Sequence, residues 1–501
     1  MRSTFLSITA FLVLAAAMSL SMGCASAGKN EVSSITISLQ PADSFQLRRE
    51  ALHASIDSIL SDSLLSQANR SVYIISLDPE SEIYSLNRSS LMMPASVNKL
   101  FVTAAAYRLL GIGYRFRTAV YGDSIGPSGS IKGNLYIKGF GDPDLRTADL
   151  EALAYRLRAM GLRIVRGDLV ADAGYFDTAS YGQGWMWDEG PFAYNAPISA
   201  LSLNSNTFEI GLRPGIRTGR RPAAELYPRT SYLKLENRAV TVGAGNNSRI
   251  KADRQFTGSG DLVIITGTMA LDRGADYLVR TVTSPPLYCA TVFKEVLADN
   301  GIKVMGNAVV GPTPAGIPEL TWHVSPPLHQ IIREMDKESD NFTAEMLYRQ
   351  LSVGRDSLTA DTSGSDRLGT MLKAMGFGEE TYRLADGSGL SRYNLCSAEQ
   401  LVKVLDSVYR DPMLRPELLT SLPIAGTDGT MSRRLVGEEY RGLIRAKTGT
   451  LTGVSSLAGF AFRPNNKTYC FAIMFNNYTS KANSVRALQD SIVARLVDIA
   501  P

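Results

Sequence analysis

Pro94-Ala95-Ser96-Val97-Asn98-Lys99 runs straight into Leu100-Phe101-Val102-Thr103-Ala104-Ala105-Ala106-Tyr107-Arg108-Leu109-Leu110-Gly111, and no other stretch narrows the outcome for this chain as much. An Ala- and Leu-rich run with Pro94 just before its first turn and Gly111 at a C-terminal cap position predicts a largely buried helix. Ser96 then stands at a helix N-terminus. Residues three apart share a helical face, so the Lys99 ammonium can reach back to the Ser96 hydroxyl, where the helix dipole also favours negative charge. A serine beside a desolvated lysine is an activated nucleophile. Ser-x-x-Lys by itself also fits a capping serine on a core helix whose lysine reaches out to solvent, and the rest of the chain decides between the two.

A chain of 501 residues exceeds one ordinary core and implies two or three domains. Hydrophobic content of 45% with 20% charged residues belongs to the globular class. The net charge of +4 comes with no basic cluster interleaved with aromatics, so nucleic acid is not an expected partner. Residues 5–20 form an apolar run of signal-peptide length, too short for a membrane span, which predicts a signal peptide over 1–27 and export. Gly23-Cys24 resembles a lipobox, although Ser21 replaces the usual aliphatic residue, and Ala25-Ser26-Ala27 fits an A-x-A cleavage site. A lipid anchor at Cys24, the sole route to a membrane, and plain secretion are therefore alternatives. Cys289, Cys396 and Cys470 are too scattered for a disulfide framework and are expected as buried thiols; no metal-ligand spacing occurs, and neither metal nor cofactor is expected. The three histidines, His53, His323 and His329, sit in no catalytic context. A hydrolase here would activate its serine without a Ser-His-Asp triad, which favours lysine.

After a polar linker over 28–43, Leu47, Leu52, Ile56, Ile59, Leu60 and Leu64 recur at helical spacing. Alternating runs at 71–77 and 81–86 around Asp78-Pro79-Glu80 predict a hairpin, and the Ser96 helix follows. Helix, hairpin and buried helix open an α/β (α+β) domain with an antiparallel sheet. Between 115 and 318 the texture shifts to short strand-like runs broken by Gly, Pro, Asn and Asp, with one helix at 150–160. A weak echo of strand, Gly break and strand recurs at 131–137, 164–170 and 302–309. Two inserted β-rich domains are expected, the inner one at roughly 142–212. Helical periodicity returns at Leu328, Ile331, Ile332 and Met335 and again through Leu351; strands at 443–448, 457–462 and 469–475 and a helix with Val485, Leu488, Ile492 and Leu496 close the chain. The catalytic domain would then combine 44–114 with 319–501.

Ser96-x-x-Lys99, Ser339-Asp340-Asn341 and Lys447-Thr448-Gly449 occur in that order, and together they match the serine-lysine acyl-transfer set of penicillin-binding proteins and β-lactamases. Single pieces have decoys: Ser231-Tyr232-Leu233-Lys234 lies in a strand-like run, and Ser202-Leu203-Asn204 imitates Ser-x-Asn. The long insert between the first two motifs narrows the likeness, as do Gly139-Phe140-Gly141-Asp142-Pro143-Asp144-Leu145, Gly184-Trp185-Met186-Trp187-Asp188-Glu189, residues 196–206, 386–394 and 422–426. From about Ala42 onward the chain resembles the class C low-molecular-mass penicillin-binding proteins, the D-alanyl-D-alanine carboxypeptidase/endopeptidase family typified by penicillin-binding protein 4 (peptidase family S13). The resemblance implies a transpeptidase or β-lactamase-like fold split by inserted domains, a periplasmic location, peptidoglycan peptides as substrates and β-lactams as covalent inhibitors. A β-lactamase or esterase on the same scaffold, and a non-catalytic cell-wall or penicillin-binding protein, are the alternatives.

Residue chemistry assigns the roles. Ser96 attacks a D-alanyl carbonyl, Lys99 takes its proton, and Ser339 relays a proton to the leaving amine. Asn341 holds the substrate amide and orients Lys99. Lys447 and Thr448 meet the substrate carboxylate, and Gly449 leaves room for the substrate backbone. The resemblance implies an oxyanion hole from the backbone N–H groups of Ser96 and Thr450. In relatives a pocket for the charged end of a diaminopimelyl side chain lines up with Glu189, Tyr194, Arg392 and Thr452. Asp142 is expected as a structural turn residue rather than a ligand, and Trp185 and Trp187 as packing for the insert rather than as a stacking surface for glycan.

Overall fold

The structure, a computed structural model, describes residues 41–353, 365–463 and 467–501. The expected signal peptide, Cys24 and linker residues 28–40 lie outside the described residues; residues 41–43 belong to the first helix, Pro41–Leu60. Among the described residues no helix is long and apolar enough to cross a membrane.

One five-stranded antiparallel sheet carries Lys447-Thr448-Gly449 on its edge strand. Its order is Ile444–Leu451, Val454–Phe462, Thr468–Asn476, Asn69–Leu77 and Glu80–Leu86, so the strands from the chain's end share a sheet with the N-terminal hairpin. Successive side chains of a strand point to opposite faces, and both faces are covered. Ile75, Leu77, Ala458, Phe460, Ala472 and Met474 pack against the helices Lys99–Leu109, Leu328–Glu338 and Ala398–Tyr409. Val72, Ile74, Ala446, Leu457, Phe471 and Ile473 meet Pro41–Leu60 and Ala482–Asp498. The expected apolar stripe Leu328, Ile331, Ile332 and Met335 is buried as one face of its helix. Cys289, Cys396 and Cys470 are buried free thiols.

The insert is knit together by the internal echo. Ser130–Ile131, Ile164–Val165 and Lys303–Val304 stack in parallel, and so do Leu135–Gly139, Leu169–Asp172 and Ala308–Val310. At the corner between the two strands of each rung, Gly167 N–H donates to Gly133 O and Gly306 N–H to Gly167 O, each at 3.0 Å. Asn134 Oδ1 accepts from Asp168 N–H at 2.8 Å, and Asp168 Oδ1 from Asn307 N–H at 2.7 Å. Glycine is required because the backbones touch: a Cβ on Gly167 would lie 2.2 Å from Asn134 Oδ1 and 2.7 Å from Gly133 O.

These pairings redraw the expected inner boundary. Leu169–Asp172 lies between Leu135–Gly139 and Ala308–Val310, so 142–212 is not a separate unit; residues 207–281 instead form two sheets of their own. The Glu319–Val324 strand pairs with Arg117–Gly122 and belongs to the insert's sheet, not to the catalytic one. The insert is fastened to the catalytic helices by Phe176, Ala196, Ile198 and Ala200 packed on Phe342, Met346 and Val353. Gln350 Nε2 adds bonds of 3.1 Å to the Tyr114 and Tyr175 hydroxyls.

Overpacking a fitted interior costs about 1–3 kcal/mol. Gly167→Ala is therefore expected to lower unfolding stability by about that amount, read by chemical denaturation, while leaving the penicillin-labelling rate of the folded fraction unchanged.

Candidate active site

Ser96 lies on a short 3-10 turn, Ala95–Asn98, immediately before the helix Lys99–Leu109, and not on the first turn of the helix itself. Two tertiary contacts fix that turn. Asn476, at the end of a sheet strand, brackets Met93 with bonds of 2.7 Å to its N–H and 3.1 Å to its carbonyl. Gly449 supplies the other contact: a Cβ there would lie 2.7 Å from Pro94 O and 2.9 Å from Ser96 N. The space that glycine leaves open is thus filled by the Ser96 turn, where sequence reasoning had reserved it for a substrate backbone. Ile444 and Ala446 face the opposite core, so strand alternation turns Lys447 and Gly449 toward Ser96.

Three segments distant in sequence meet at this point. Lys99 Nζ donates to Ser96 Oγ at 3.1 Å, to Asn341 Oδ1 at 2.7 Å and to the Ser388 carbonyl at 2.6 Å. Lys447 Nζ donates to Ser339 Oγ at 2.7 Å and to its neighbour's carbonyl, Thr448 O, at 3.2 Å. Ser339 ends its helix in the left-handed region, with φ 60°, which lifts its hydroxyl out of the helix toward the strand. Asp340 then caps the next helix by accepting from Thr343 N–H at 2.7 Å, and Asn341 opens that helix facing Lys99. Asn341 Nδ2 donates to the Tyr194 carbonyl at 3.0 Å.

Lys99 and Lys447 are both fully buried, whereas Ser96 is partly open to solvent. Burial disfavours the charged form and lowers Lys99 to about 8, against the raising influence of Asp340, Asp386, Asp336 and Glu345. Lys447 is lowered by burial first and then by the Lys99 charge. Asp336, three residues before Ser339 and fully buried, is raised by burial; its Oδ2 accepts from Thr103 Oγ1 at 3.1 Å and Ser421 Oγ at 2.9 Å. A neutral Lys99 in this position is within proton-transfer distance of Ser96.

Further residues, unassigned by sequence reasoning, brace the site. Thr448 Oγ1 bonds Thr430 Oγ1 at 2.8 Å, and Arg486 Nη2 bonds Thr450 Oγ1 at 3.0 Å. Asp386 has no exposed surface and gathers five bonds, from Ser388 Oγ, Gly389 N–H, Ser391 N–H, Asn394 Nδ2 and Trp185 Nε1. It fixes the loop whose Ser388 carbonyl holds Lys99. An acid interrupting the apolar stripe at Asp336 was a visible signal; Thr430 and Arg486 carried none. The decoys stand apart: Lys234 lies on Leu233–Asn237, in the nested unit, and Asn204 bonds Thr147.

The four expected pocket residues form two pairs. Tyr194 OH donates to Glu189 Oε2 at 2.8 Å, and Arg392 Nη2 donates to Thr452 O at 3.2 Å. The segments carrying them touch at Gly184, where a Cβ would stand 2.6 Å from the Tyr393 ring. Asp142 Oδ1 accepts from Asp144 N–H at 3.0 Å, the turn geometry expected of it. Trp185 bonds across to Asp386, whereas Trp187 is 95% exposed, contrary to the expectation that it packs the insert.

The D-alanyl-D-alanine carboxypeptidase of Actinomadura sp. (strain R39) is 34% identical over 476 residues, spanning 92% of this chain and 87% of that protein. D-alanyl-D-alanine carboxypeptidase DacB of Haemophilus influenzae is 28% identical over 401 residues, 79% of this chain and 83% of that one. The crystal structure of penicillin binding protein 4 (dacB) from Haemophilus influenzae superposes with a TM-score of 0.77 at 26% identity, covering 88% of this chain and 98% of that one. The same protein complexed with a β-lactam gives 0.73 at 25% identity, with the same coverage of both chains. The model of the D-Ala-D-Ala carboxypeptidase 3 (S13) family matches residues 52–498, and the chain belongs to that family.

Proposed function

We propose that this protein is a penicillin-sensitive serine D-Ala-D-Ala carboxypeptidase with endopeptidase activity, acting on peptidoglycan stem peptides and cross-links through an acyl-enzyme on Ser96. The observation that carries the reading is the Lys99 amine 3.1 Å from the Ser96 hydroxyl, with the Lys447 to Ser339 bond beside it, in a member of the S13 family. Relatives named D-alanyl-D-alanine carboxypeptidase support the substrate class.

In this reading neutral Lys99 accepts the Ser96 proton as Oγ attacks the carbonyl of the D-alanyl peptide bond. Negative charge on the carbonyl oxygen is met by the backbone N–H groups of Ser96 and Thr450, held at the contact between the catalytic turn and the strand. Ser339 passes its hydroxyl proton to the departing D-alanine amine and takes one back from the Lys447 ammonium; the C–N bond breaks to leave a Ser96 ester, and the proton that Lys99 took from Ser96 moves on to Lys447, so that Lys99 is neutral again. Water, deprotonated by Lys99, cleaves that ester. Lys447 and Thr448, with Thr450 at the strand's exposed end, meet the terminal carboxylate. Asn341 already spends its carbonyl on Lys99 and one N–H on Tyr194, so its main service is to hold the base; a remaining N–H is free for the substrate amide. Glu189, Tyr194, Arg392 and Thr452 form the wall for the side chain of the penultimate diamino acid. The protein works in the periplasm, either free or tethered through Cys24.

Labelled penicillin is expected to mark wild-type protein and leave Ser96→Ala unmarked; labelling that survives the substitution overturns the nucleophile assignment. Counting cross-links in a muropeptide digest tests the endopeptidase part, and rapid release of the penicilloyl group would instead favour a β-lactamase.

The pH dependence follows from the lysines. A base must be neutral, so acylation is expected to rise with pH through about 8, well below the range of an ordinary lysine. Asp336 raises both amines, so Asp336→Asn is expected to move this rising limb to lower pH in stopped-flow acylation profiles. An unmoved limb shows that Asp336 does not set the base.

A further inference from the structure

Beside the active site, on the insert, lies a groove of about 530 Å³. Tyr181, Met186 and Trp187 are among its lining residues, and Trp187 holds its indole almost wholly in water at 95% exposure. Two other lining residues carry unmatched polar atoms. Asn195 is 8% exposed, and its Oδ1 is buried without a hydrogen-bond partner. Arg254 Nε is likewise buried and unpartnered, although the same guanidinium binds the Thr281 and Thr283 hydroxyls. Buried polar groups are nearly always satisfied, so an acceptor and a donor without partners just beneath the lining of one cleft point to a ligand that supplies the complement of each. Trp185, which also lines the cleft, ties it to the catalytic machinery through its bond to Asp386, the residue that sets the loop holding Lys99.

An acetamido group presents one N–H and one carbonyl oxygen, the complement of Asn195 Oδ1 and Arg254 Nε. A pyranose ring presents an apolar C–H face, which suits the exposed indole of Trp187. We propose that this groove is a subsite for an N-acetylated sugar of the glycan strand, holding the polymer while its peptide enters the cleft at Ser96. The identity of the polymer rests on the peptidoglycan reading above; the groove and its unmatched atoms do not. A peptide amide offers the same donor and acceptor, but it has no ring face for Trp187.

The test titrates the full Ser96→Ala chain with a peptide-free oligomer of N-acetylglucosamine while following intrinsic tryptophan fluorescence, with a free D-alanyl-D-alanine-terminated pentapeptide in a parallel series. Saturable binding of the sugar is expected, weakened about tenfold in a second chain that also carries Trp187→Ala, as loss of an aromatic contact would imply. Because that substitution removes a reporter, sugar binding is also followed by calorimetry, and Arg254→Met gives a second variant. No sugar binding to the Ser96→Ala chain, sugar binding unchanged by both variants, or a groove that answers to the pentapeptide and not to the sugar overturns the proposal. Penicillin labelling of the corresponding chains with Ser96 intact is the separate control: its failure in the wild type counts against the acyl-enzyme and leaves the sugar result standing.

Discussion

Two lysine side chains buried in one site, with no carboxylate among the described residues in direct contact with either, are the constraint on which this structure depends. Every hydrogen-bond partner that Lys99 and Lys447 make is neutral: hydroxyls of Ser96 and Ser339, the amide oxygen of Asn341, and the carbonyls of Ser388 and Thr448. Taking an ammonium out of water without an ion pair is costly, and a protein relieves that cost by weakening the group's hold on its proton. The same burial that would count as a fault in an inert core loosens the proton of the amine that lies 3.1 Å from the Ser96 hydroxyl, as the proposed base requires. Asp336 and Glu345 are as deeply buried as the lysines; both favour the charged form of Lys99, while burial raises their own carboxyls.

Such a cluster has to be held from several directions, and the fold divides that task. The sheet supplies Lys447 and, through Gly449 and Asn476, the seat of the Ser96 turn. The helices behind supply Lys99, Ser339 and Asn341. The insert, which begins only a few residues after the Ser96 helix, returns to the site twice, through the Tyr194 carbonyl on Asn341 and the Trp185 indole on Asp386. It therefore forms part of the cleft wall as well as extending the molecule.

What was legible in the sequence was what chemistry or periodicity writes locally. The three motifs could be read because their residue types are fixed by the reaction, and the helix from Leu328 because its apolar positions repeat at 3, 4 and 7. The 3-10 turn at Ser96 was hidden, since it is imposed by a strand more than 340 residues away. The stacked rungs showed as an echo, but strands of two residues are too short to reveal a period, and only their pairing establishes that they are parallel. The inner domain boundary was misread for the same reason: the third rung lies beyond the nested unit it encloses. Thr430 and Arg486 act through single tertiary hydrogen bonds, and no local pattern marks them.

The sheet places Asn69–Leu77, near the start of the described chain, directly against Thr468–Asn476, near its end. A polypeptide synthesised from its N-terminus therefore carries its reactive serine long before it possesses the strand that seats that serine or the second lysine beside it. Chemical competence arrives in one late step, when the two extremities close on each other. Until that closure Ser96 has neither the Asn476 contact that seats its turn nor the strand that brings Lys447 to the site.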